Sequence, residues 1–380
     1  MKKRNMHIDI AKGIGILLVV FGHNYLVSNH KGELFNIIFS FHVPLFFFLS
    51  GLFFNPSRSL SYTAVTKIDS ILKPYFVTLF LLGFVYAVFK DINLPTYIFG
   101  VIYGNGLNIY WIPMWFLTHL FAVTIFSWFV IYGFEKLELN KTIRYMILCS
   151  LLIIGVRLVK LFWIKDVLFF GHNYTLPGLP FSIDILFITS FYFLIGYSLK
   201  GYFLNFNPSL STNLLTLSAF IICHIYFDKT IDLNLRTYNG IILSTIEALS
   251  GIYLTLSISY LLQFRTIIAR IFAYIGESSL FILIFHFYIQ PKTFFMAKYV
   301  LGENSIIAAI FSFILGVIIP MAMFWIVKKV NIFSIFFIPI KHNRLFQKRT
   351  KFKTNSKMST AAPILKRIYL KNRFKDIWGA

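Results

Sequence analysis

The sequence predicts an all-α fold, namely a polytopic integral membrane protein with about ten transmembrane helices. Hydrophobic residues make up 58% of the 380 residues and aromatic residues 19%, and the mean hydropathy is +0.74. A soluble domain of this length needs far more polar surface. Apolar runs of about 17–25 residues, long enough to cross ~30 Å of hydrocarbon as helices, recur along the chain. These observations exclude a soluble globular domain.

Each predicted span is an apolar run between polar or turn-forming segments. In order, the spans cover residues 13–29, 35–54, 72–89, 113–134, 145–163, 182–199, 211–227, 240–262, 272–290 and 305–327. The basic start Lys2-Lys3-Arg4 precedes the first span, and no small-residue cleavage site follows it, so we expect this span to be retained. The connections at about residues 90–112 and 164–181 are rich in Gly, Pro, Asn and Tyr, and we expect turns that line an entrance.

The distribution of lysine and arginine predicts that both termini are cytoplasmic. With the N-terminus inside, the cytoplasmic segments before the tail carry about twice as many basic residues as the outer loops. Residues 1–330 are then the membrane domain, and residues 331–380 form a basic cytoplasmic tail. We expect this tail to contact anionic lipid rather than nucleic acid, because attraction of a polybasic juxtamembrane segment to the membrane surface is the simpler explanation.

Polar residues inside the predicted spans lie mostly in the outer half of the membrane. They are His23, His42, His119, Arg157, Lys160, His224, Glu247 and His286. Lipid does not solvate such groups, so we expect some of them to converge on a wet cavity open to the outer face. Each has a structural alternative, since a histidine in a bundle often only bonds a neighbouring helix and Lys160 can reach the interface. Arg157 needs an acceptor, either Glu247 or a substrate anion.

Lys12 and His23 are eleven residues apart in the first span, close to three helical turns. Both side chains therefore share one helix face, with the imidazole roughly 16 Å deeper along it than the ammonium. A cation at the inner surface thus leads toward a buried titratable group, and such groups inside membranes are usually functional.

Four sequence motifs resemble those of the acyltransferase family 3 integral membrane proteins. The stretch from Asp9 to His23 is similar to their first helix, which carries a basic residue, ten intervening positions and a histidine. Phe41 to Gly51 resembles their second signature, and Trp115 to Leu117 and Gly276 to Leu280, followed by His286, resemble later ones. The resemblance covers about residues 6–328 and is closest to the fucose 4-O-acetylase-like branch.

This resemblance implies an O-acetyltransferase of the bacterial cytoplasmic (inner) membrane. Such an enzyme moves an acyl group, most often acetyl, from cytoplasmic acyl-CoA to a hydroxyl of an extracytoplasmic sugar, in a cell-surface polysaccharide or a lipid-linked glycan. The chain departs from the family pattern at one place. Many relatives carry two arginines, three residues apart, before the third helix. Here Lys67 can replace the first, Ser70 cannot replace the second, and Lys73 compensates in part.

Acyl transfer to an alcohol needs a base, and a neutral imidazole suits this task at physiological pH. We therefore expect His23 to be the base, with no protein nucleophile and no metal, and Cys149 and Cys223 to be packing residues. His286, Arg157 or Asn24 are candidate donors to the oxyanion. Further residues are expected to bind ligands. Lys12, Lys67 and Lys73 would hold the phosphates of acetyl-CoA, unless they only set topology, and Asn24, His42, Trp115 and Glu247 would contact the acceptor.

Two other classes of function fit a polytopic membrane protein. A transporter or flippase of a lipid-linked sugar would also line a midplane cavity with polar residues, but it is expected to carry an internal repeat, and no convincing repeat is found. A membrane sensor would need a signalling motif, and none is recognised. The acyltransferase is therefore the favoured function.

Overall fold

The computed structural model describes residues 5–90, 92–169, 172–227, 230–301 and 305–340. The α-helices are α1 Met6–Gly22, α2 Tyr25–His30, α3 Glu33–Leu52, α4 Leu60–Lys67, α5 Lys73–Phe89, α6 Leu94–Tyr103, α7 Trp115–Lys136, α8 Lys141–Leu158, α9 Leu186–Ser198, α10 Lys200–Leu204, α11 Leu210–Phe227, α12 Ile241–Leu262, α13 Thr266–Glu277, α14 Ser279–Leu301, α15 Ser305–Lys329 and α16 Asn331–Phe337. The strands are β1 Trp163–Phe169, β2 His172–Pro177, β3 Ile231–Asp232 and β4 Thr237–Tyr238, and they form two antiparallel hairpins.

The predicted membrane fold is confirmed. Seven helical segments among the described residues are long and apolar enough to cross a membrane, and each of them overlaps one of the ten predicted spans. They are Glu33–Leu52, Leu60–Phe89, Ile112–Lys136, Pro180–Ser198, Ile241–Leu262, Ser279–Val300 and Ser305–Lys329. The other three predicted spans also contain helices, namely α1, α8 and α11, of 17, 18 and 18 residues.

The predicted bounds of three spans are wrong. The ninth was expected over residues 272–290, but α13 ends at Glu277 and the separate helix α14 continues to Leu301. The first was expected over residues 13–29, but α1 ends at Gly22, and Asn24 adopts an extended conformation and caps the separate helix α2. The fifth was expected over 145–163, but α8 ends at Leu158 and strand β1 begins at Trp163. In the first and fifth spans, apolar residues resume within a few positions after the end of the helix, so hydropathy averaged over a window does not mark the break.

Helix α1 lies at the centre of the bundle, where it contacts α3, α12, α13 and α14. Its closest neighbour is α13. A Cβ atom added to Gly13 would lie 2.2 Å from the Phe272 carbonyl oxygen, and one added to Gly276 would lie 2.0 Å from the Asp9 carbonyl oxygen. Only glycine permits this backbone contact between two helices. The packing fixes α1 along its length, with Lys12 toward one end and His23 at the other.

These two ends of the bundle are called the Lys12 end and the His23 end. At the His23 end, hairpin β1–β2 follows α8 and hairpin β3–β4 follows α11. Arg236, between β3 and β4, forms a bidentate pair with Asp184, with Nε to Oδ2 at 2.7 Å and Nη2 to Oδ1 at 3.0 Å, and neither side chain is exposed. The guanidinium also donates to the Asn234 carbonyl oxygen at 2.7 Å and lies 4.4 Å from the centre of the Trp163 ring. Arg236 thus holds together the loops that contain Trp163, Asp184 and Asn234.

Residues up to Trp325 form one compact unit, and Ile326 begins another. Of the predicted basic tail, residues 331–340 are described and include α16, whereas residues 341–380 lie outside the described residues, as do Lys2-Lys3-Arg4. The role of the tail stays a prediction.

Candidate active site

Three histidines from three helices meet at the His23 end. His23 follows α1, His42 lies in α3 and His286 in α14. The ring centres of His23 and His286 are 5.5 Å apart in an edge-to-face arrangement. The ring of Phe39 lies between those of His23 and His42, with its centre 5.9 Å from the His23 ring centre and 4.6 Å from the His42 ring centre. His42 and His286 both lie within range of the charge that His23 would carry when protonated. The structure therefore brings together one predicted base and two further predicted site residues.

Each of the three imidazoles is held in the same tautomer. Nδ1 of His23, His42 and His286 lies 2.8, 2.8 and 2.7 Å, respectively, from the carbonyl oxygen four residues earlier in its own helix. A carbonyl oxygen only accepts, so each Nδ1 carries the proton and each Nε2 presents a lone pair when the ring is neutral. Nε2 of His286 is buried and has no hydrogen-bond partner in the part of the chain that the structure describes. An unsatisfied buried acceptor costs about 1–3 kcal/mol, which a donor from a ligand would remove.

Asn24 holds the turn that presents His23. Its side-chain amide lies 3.2 Å from Oε1 of Gln290, 3.0 Å from the Ala309 carbonyl oxygen and 3.2 Å from Oγ of Ser312. Gln290 in turn donates to the Val20 carbonyl oxygen at 2.8 Å. The end of α1 is therefore tied to α14 and α15. Because the amide donors of Asn24 are already engaged, this geometry supports positioning of His23 rather than the predicted contact with substrate or oxyanion.

Asp232, which the sequence analysis did not single out, also lies close enough to His23 for their charges to interact. It ends β3, which contacts α3, and its carboxylate accepts the Leu235 N–H at 3.0 Å. Burial raises the pKa of Asp232 above its ordinary value, while the N–H of Leu235 and the charge on His23 oppose that shift. The sequence shows only an acid in a short loop, and it is the Arg236–Asp184 pair that fixes this loop beside α1.

The three predicted phosphate ligands lie near the Lys12 end. Lys12 pairs with Asp9 at 3.6 Å and lies 4.7 Å from the centre of the Phe53 ring, and its charge acts on Lys67. Lys73 pairs with Asp69 at 2.6 Å. A cluster of cations is a favourable environment for a bound anion.

A π-helical turn over Ile68–Leu72 separates Lys67 from Lys73. Such turns interrupt the regular ladder of helix hydrogen bonds and occur often at functional sites. The turn falls in the segment where the chain departs from the paired arginines of the resembling family. It thus gives Lys67 and Lys73 a local backbone that the sequence pattern alone does not reveal.

Arg157 and Glu247 do not join the three histidines. Arg157 is exposed near the end of α8. Glu247 is buried and lies 2.9 Å from Nδ1 of His224, whose Nε2 lies 2.9 Å from Glu33. The acceptor of Arg157 was expected to be Glu247 or a substrate anion, and Glu247 instead contacts this histidine. Lys160 is also exposed.

Trp115 and His119 form a separate packing site at the start of α7. The two ring centres are 5.8 Å apart. His119 uses both nitrogens, with Nδ1 2.9 Å from the Phe181 carbonyl oxygen and Nε2 2.8 Å from Oγ1 of Thr189. This favours the structural alternative for His119, and Trp115 lies with it rather than with His23.

Within the described ranges, no group of three or more His, Cys, Asp or Glu side chains is arranged to hold a metal ion. Cys149 is exposed and Cys223 is buried, and neither forms a disulfide. The site thus consists of three histidines and one carboxylate at one end of α1 and of lysines at the other.

Comparison with known proteins gives one finding. A protein-family model described as an acyltransferase domain matches residues 7–325. No curated protein and no solved structure matches the chain.

Proposed function

Because this chain belongs to the acyltransferase 3 family and is a membrane acyltransferase, we propose that it acetylates a sugar hydroxyl, with acetyl-CoA as donor. The donor enters from the cytoplasm at the Lys12 end, and the acceptor enters from the opposite face at the His23 end. The observation that carries this proposal is the group of three imidazoles held in one tautomer, one of them with a buried and unpartnered Nε2. The fucose 4-O-acetylase-like branch remains the nearest group that the motifs resemble.

The position of α1 supports donor entry from the Lys12 end. The helix is unbroken from Met6 to Gly22, so Lys12 and His23 are about 16 Å apart along it at 1.5 Å per residue. That distance is comparable with the length of a pantetheine arm. Lys12 and Lys67 would bind the phosphates of the nucleotide, and the thioester would then reach His23.

The chemical step is a direct attack of the acceptor on the thioester. The sugar oxygen forms a bond to the acetyl carbonyl carbon, and Nε2 of His23 takes the hydroxyl proton. The carbon–sulfur bond of the tetrahedral intermediate then breaks, and the imidazolium returns the proton to the CoA thiolate. The products are the acetylated sugar and free CoA, so the step balances without a protein nucleophile.

Asp232 and His286 have distinct roles in this step. Asp232 is the anion near His23 and stabilises the imidazolium that forms when the proton is taken. Nε2 of neutral His286 accepts a hydrogen bond, so it suits a hydroxyl of the sugar. This replaces the expectation that His286 donates to the oxyanion, because its proton is engaged on Nδ1 by the Ile282 carbonyl oxygen.

The function is tested by NMR of the O-acetyl groups on the host's surface glycans. Cells with the intact gene are compared with a deletion strain and with a strain expressing His23→Ala at matched level. We expect both altered strains to lose the same acetyl signals while the amount of glycan stays unchanged. Collapse of glycan export instead would favour a transporter, and unchanged acetylation would refute the proposal.

A further inference from the structure

We propose that the acceptor binds as an uncharged glycan in a cleft at the His23 end, between α6, residues 107–110 and the β1–β2 hairpin. This inference rests on the proposed function. The cleft has a volume of about 890 Å³, which is enough for a short oligosaccharide. Its lining combines aromatic rings with neutral hydrogen-bonding groups, among them Thr96, Phe99, Tyr103, Asn108, Tyr110 and Thr175.

Tyr110 offers a fixed flat surface to this cleft. Its side chain is 57% exposed, yet its ring lies against two other tyrosines, with ring centres 5.6 Å from Tyr86 and 5.5 Å from Tyr97. Tyr97 is itself held by a 2.6 Å hydrogen bond from its hydroxyl to the Leu79 carbonyl oxygen. A rigid ring presented to solvent loses little conformational entropy on binding. The C–H face of a pyranose stacks on such a ring.

Tyr103 also lines the cleft, and its side chain is fixed by a hydrogen bond and a ring contact. Its hydroxyl donates to the Gly178 carbonyl oxygen at 2.6 Å, and its ring centre lies 5.5 Å from that of Phe99. The cleft thus holds more than one preorganised ring. Rings of this kind bind the apolar faces of sugars, while neighbouring amides and hydroxyls bind their oxygens.

The lining predicts an uncharged acceptor. No Lys, Arg, His, Asp or Glu is among the described residues that line this cleft. The hydroxyl of Thr175 donates to Oδ1 of Asp166 at 2.6 Å, so a carboxylate lies beside this lining residue. An acidic sugar would find no counter-ion here and would be repelled by Asp166. A lipid tail would leave the amide of Asn108 without a partner, which disfavours that occupant.

Trp111 connects the cleft to the histidines. It follows Tyr110 in the chain, its side chain is buried, and its ring centre lies 5.2 Å from that of Tyr288 and 5.7 Å from that of Phe285. Those two residues flank His286 in α14. The indole Nε1 is buried and has no partner among the described residues. It is therefore a donor available to a sugar oxygen on the way from the cleft to the site.

The test uses two adjacent positions on strand β1, whose side chains point to opposite faces. Val167 lines the cleft, and Leu168, which is exposed, does not. Purified protein is first incubated with acetyl-CoA and a panel of neutral and uronic-acid oligosaccharides, and acetylated products are identified by mass spectrometry. Kinetics with the best acceptor then compare Val167→Trp with Leu168→Trp, and Tyr110→Ala with Tyr110→Phe.

We expect a neutral oligosaccharide to be the best acceptor. Val167→Trp and Tyr110→Ala should each raise KM for the acceptor about tenfold, corresponding to about 1.4 kcal/mol of lost binding, and leave KM for acetyl-CoA unchanged. Leu168→Trp should stay within about twofold of the parent, because the cleft volume is retained, and Tyr110→Phe should recover the acceptor affinity that Tyr110→Ala loses, because the stacking ring is kept. The unchanged KM for acetyl-CoA separates lost acceptor binding from loss of fold.

Two results would contradict the proposal that this cleft binds the acceptor. One is an unaltered acceptor KM in both Val167→Trp and Tyr110→Ala, and the other is preference for the uronic-acid acceptors. Failure of the parent protein to acetylate any glycan would instead refute the proposed function, on which the cleft depends.

Discussion

At the scale of single residues, the proposed base His23 is oriented by its own helix. His23 follows the last turn of α1, and its Nδ1 proton is engaged by the Val19 carbonyl oxygen, which leaves Nε2 free to take a proton. In many enzymes a carboxylate holds the base in the right tautomer. Here the backbone performs that task, and Asp232 is left to act through its charge.

Asp232→Asn should therefore lower kcat by about ten- to a hundredfold, because the amide keeps the size of the side chain and removes the charge that stabilises imidazolium. KM for acetyl-CoA should not change. The measurement is steady-state kinetics, and Glu138→Gln, an exposed acid after α7, is the control. A kcat equal to that of the parent protein would show that Asp232 does not act on His23.

The same substitution should raise stability at neutral pH. Burial raises the pKa of Asp232, so the ionised carboxylate is less favourable in the folded than in the unfolded chain. A protonated Asp232 imposes no such cost, so the penalty is absent below the ordinary pKa of 3.8 and grows as pH rises through the higher folded value. The thermal midpoint of Asp232→Asn in detergent should exceed that of the parent protein at pH 7, and the difference should shrink toward pH 4. A lower midpoint at pH 7 would contradict this.

Lys12 gives a test of donor binding. Lys12→Ala should raise KM for acetyl-CoA about tenfold through loss of one phosphate contact, whereas Lys12→Arg keeps the charge and should be tolerated. The acceptor KM should stay the same in both variants. If Lys12→Arg were as impaired as Lys12→Ala, or if neither changed the KM for acetyl-CoA, the phosphate role would be excluded.

Depth within the membrane was a useful but incomplete guide to the site. It selected His23, His42 and His286, which meet, but it also selected His119 and Glu247, which serve other helix contacts. Helical rise gives the height of a residue, whereas its direction depends on which helices are neighbours. That information is not contained in the hydropathy of a single span.

At the scale of elements, the β3–β4 hairpin places Asp232, and the Arg236–Asp184 pair fixes the hairpin. Arg236→Ala would leave the Asp184 carboxylate buried and unpaired, which costs about 3–5 kcal/mol. We expect a clear fall in the thermal midpoint, and no recovery with Arg236→Lys, because an ammonium does not reproduce the bidentate geometry. Exposed Lys165→Ala on β1 should have no effect. A thermal midpoint of Arg236→Ala close to that of the parent protein would show that the Arg236–Asp184 pair does not stabilise the β3–β4 hairpin.

The break after α1 illustrates what the sequence leaves unspecified among elements. Tyr25, Leu26 and Val27 continue the apolar run, so a single span over 13–29 was a reasonable prediction. The helix ends because Asn24 bonds groups of α14 and α15 that lie more than 260 residues further along the chain. By contrast, the existence of the long apolar helices depends on local composition, and the sequence predicts it, although the bounds of the ninth span miss the break between α13 and α14.

At the scale of the whole molecule, α1 joins two chemically different ends. Cations lie near its start and imidazoles at its finish, and close neighbours on several sides hold it in place. This arrangement suits a donor and an acceptor that enter from opposite faces. A transporter needs the helices around such a site to move, whereas the backbone contact between α1 and α13 holds them together.

Acetyl transfer across a sealed membrane tests most directly whether donor and acceptor enter from opposite faces. Proteoliposomes contain a neutral oligosaccharide inside, acetyl-CoA is added outside, and the trapped glycan is analysed by mass spectrometry. The product is normalised to the number of proteins whose Lys12 end faces outward, because only these can bind the external donor. We expect acetylated glycan inside the vesicles, a loss of at least about a hundredfold with His23→Ala, and parental activity with exposed His30→Ala. Full activity of His23→Ala, or acetylation only when donor and acceptor share one side, would contradict the proposed mechanism.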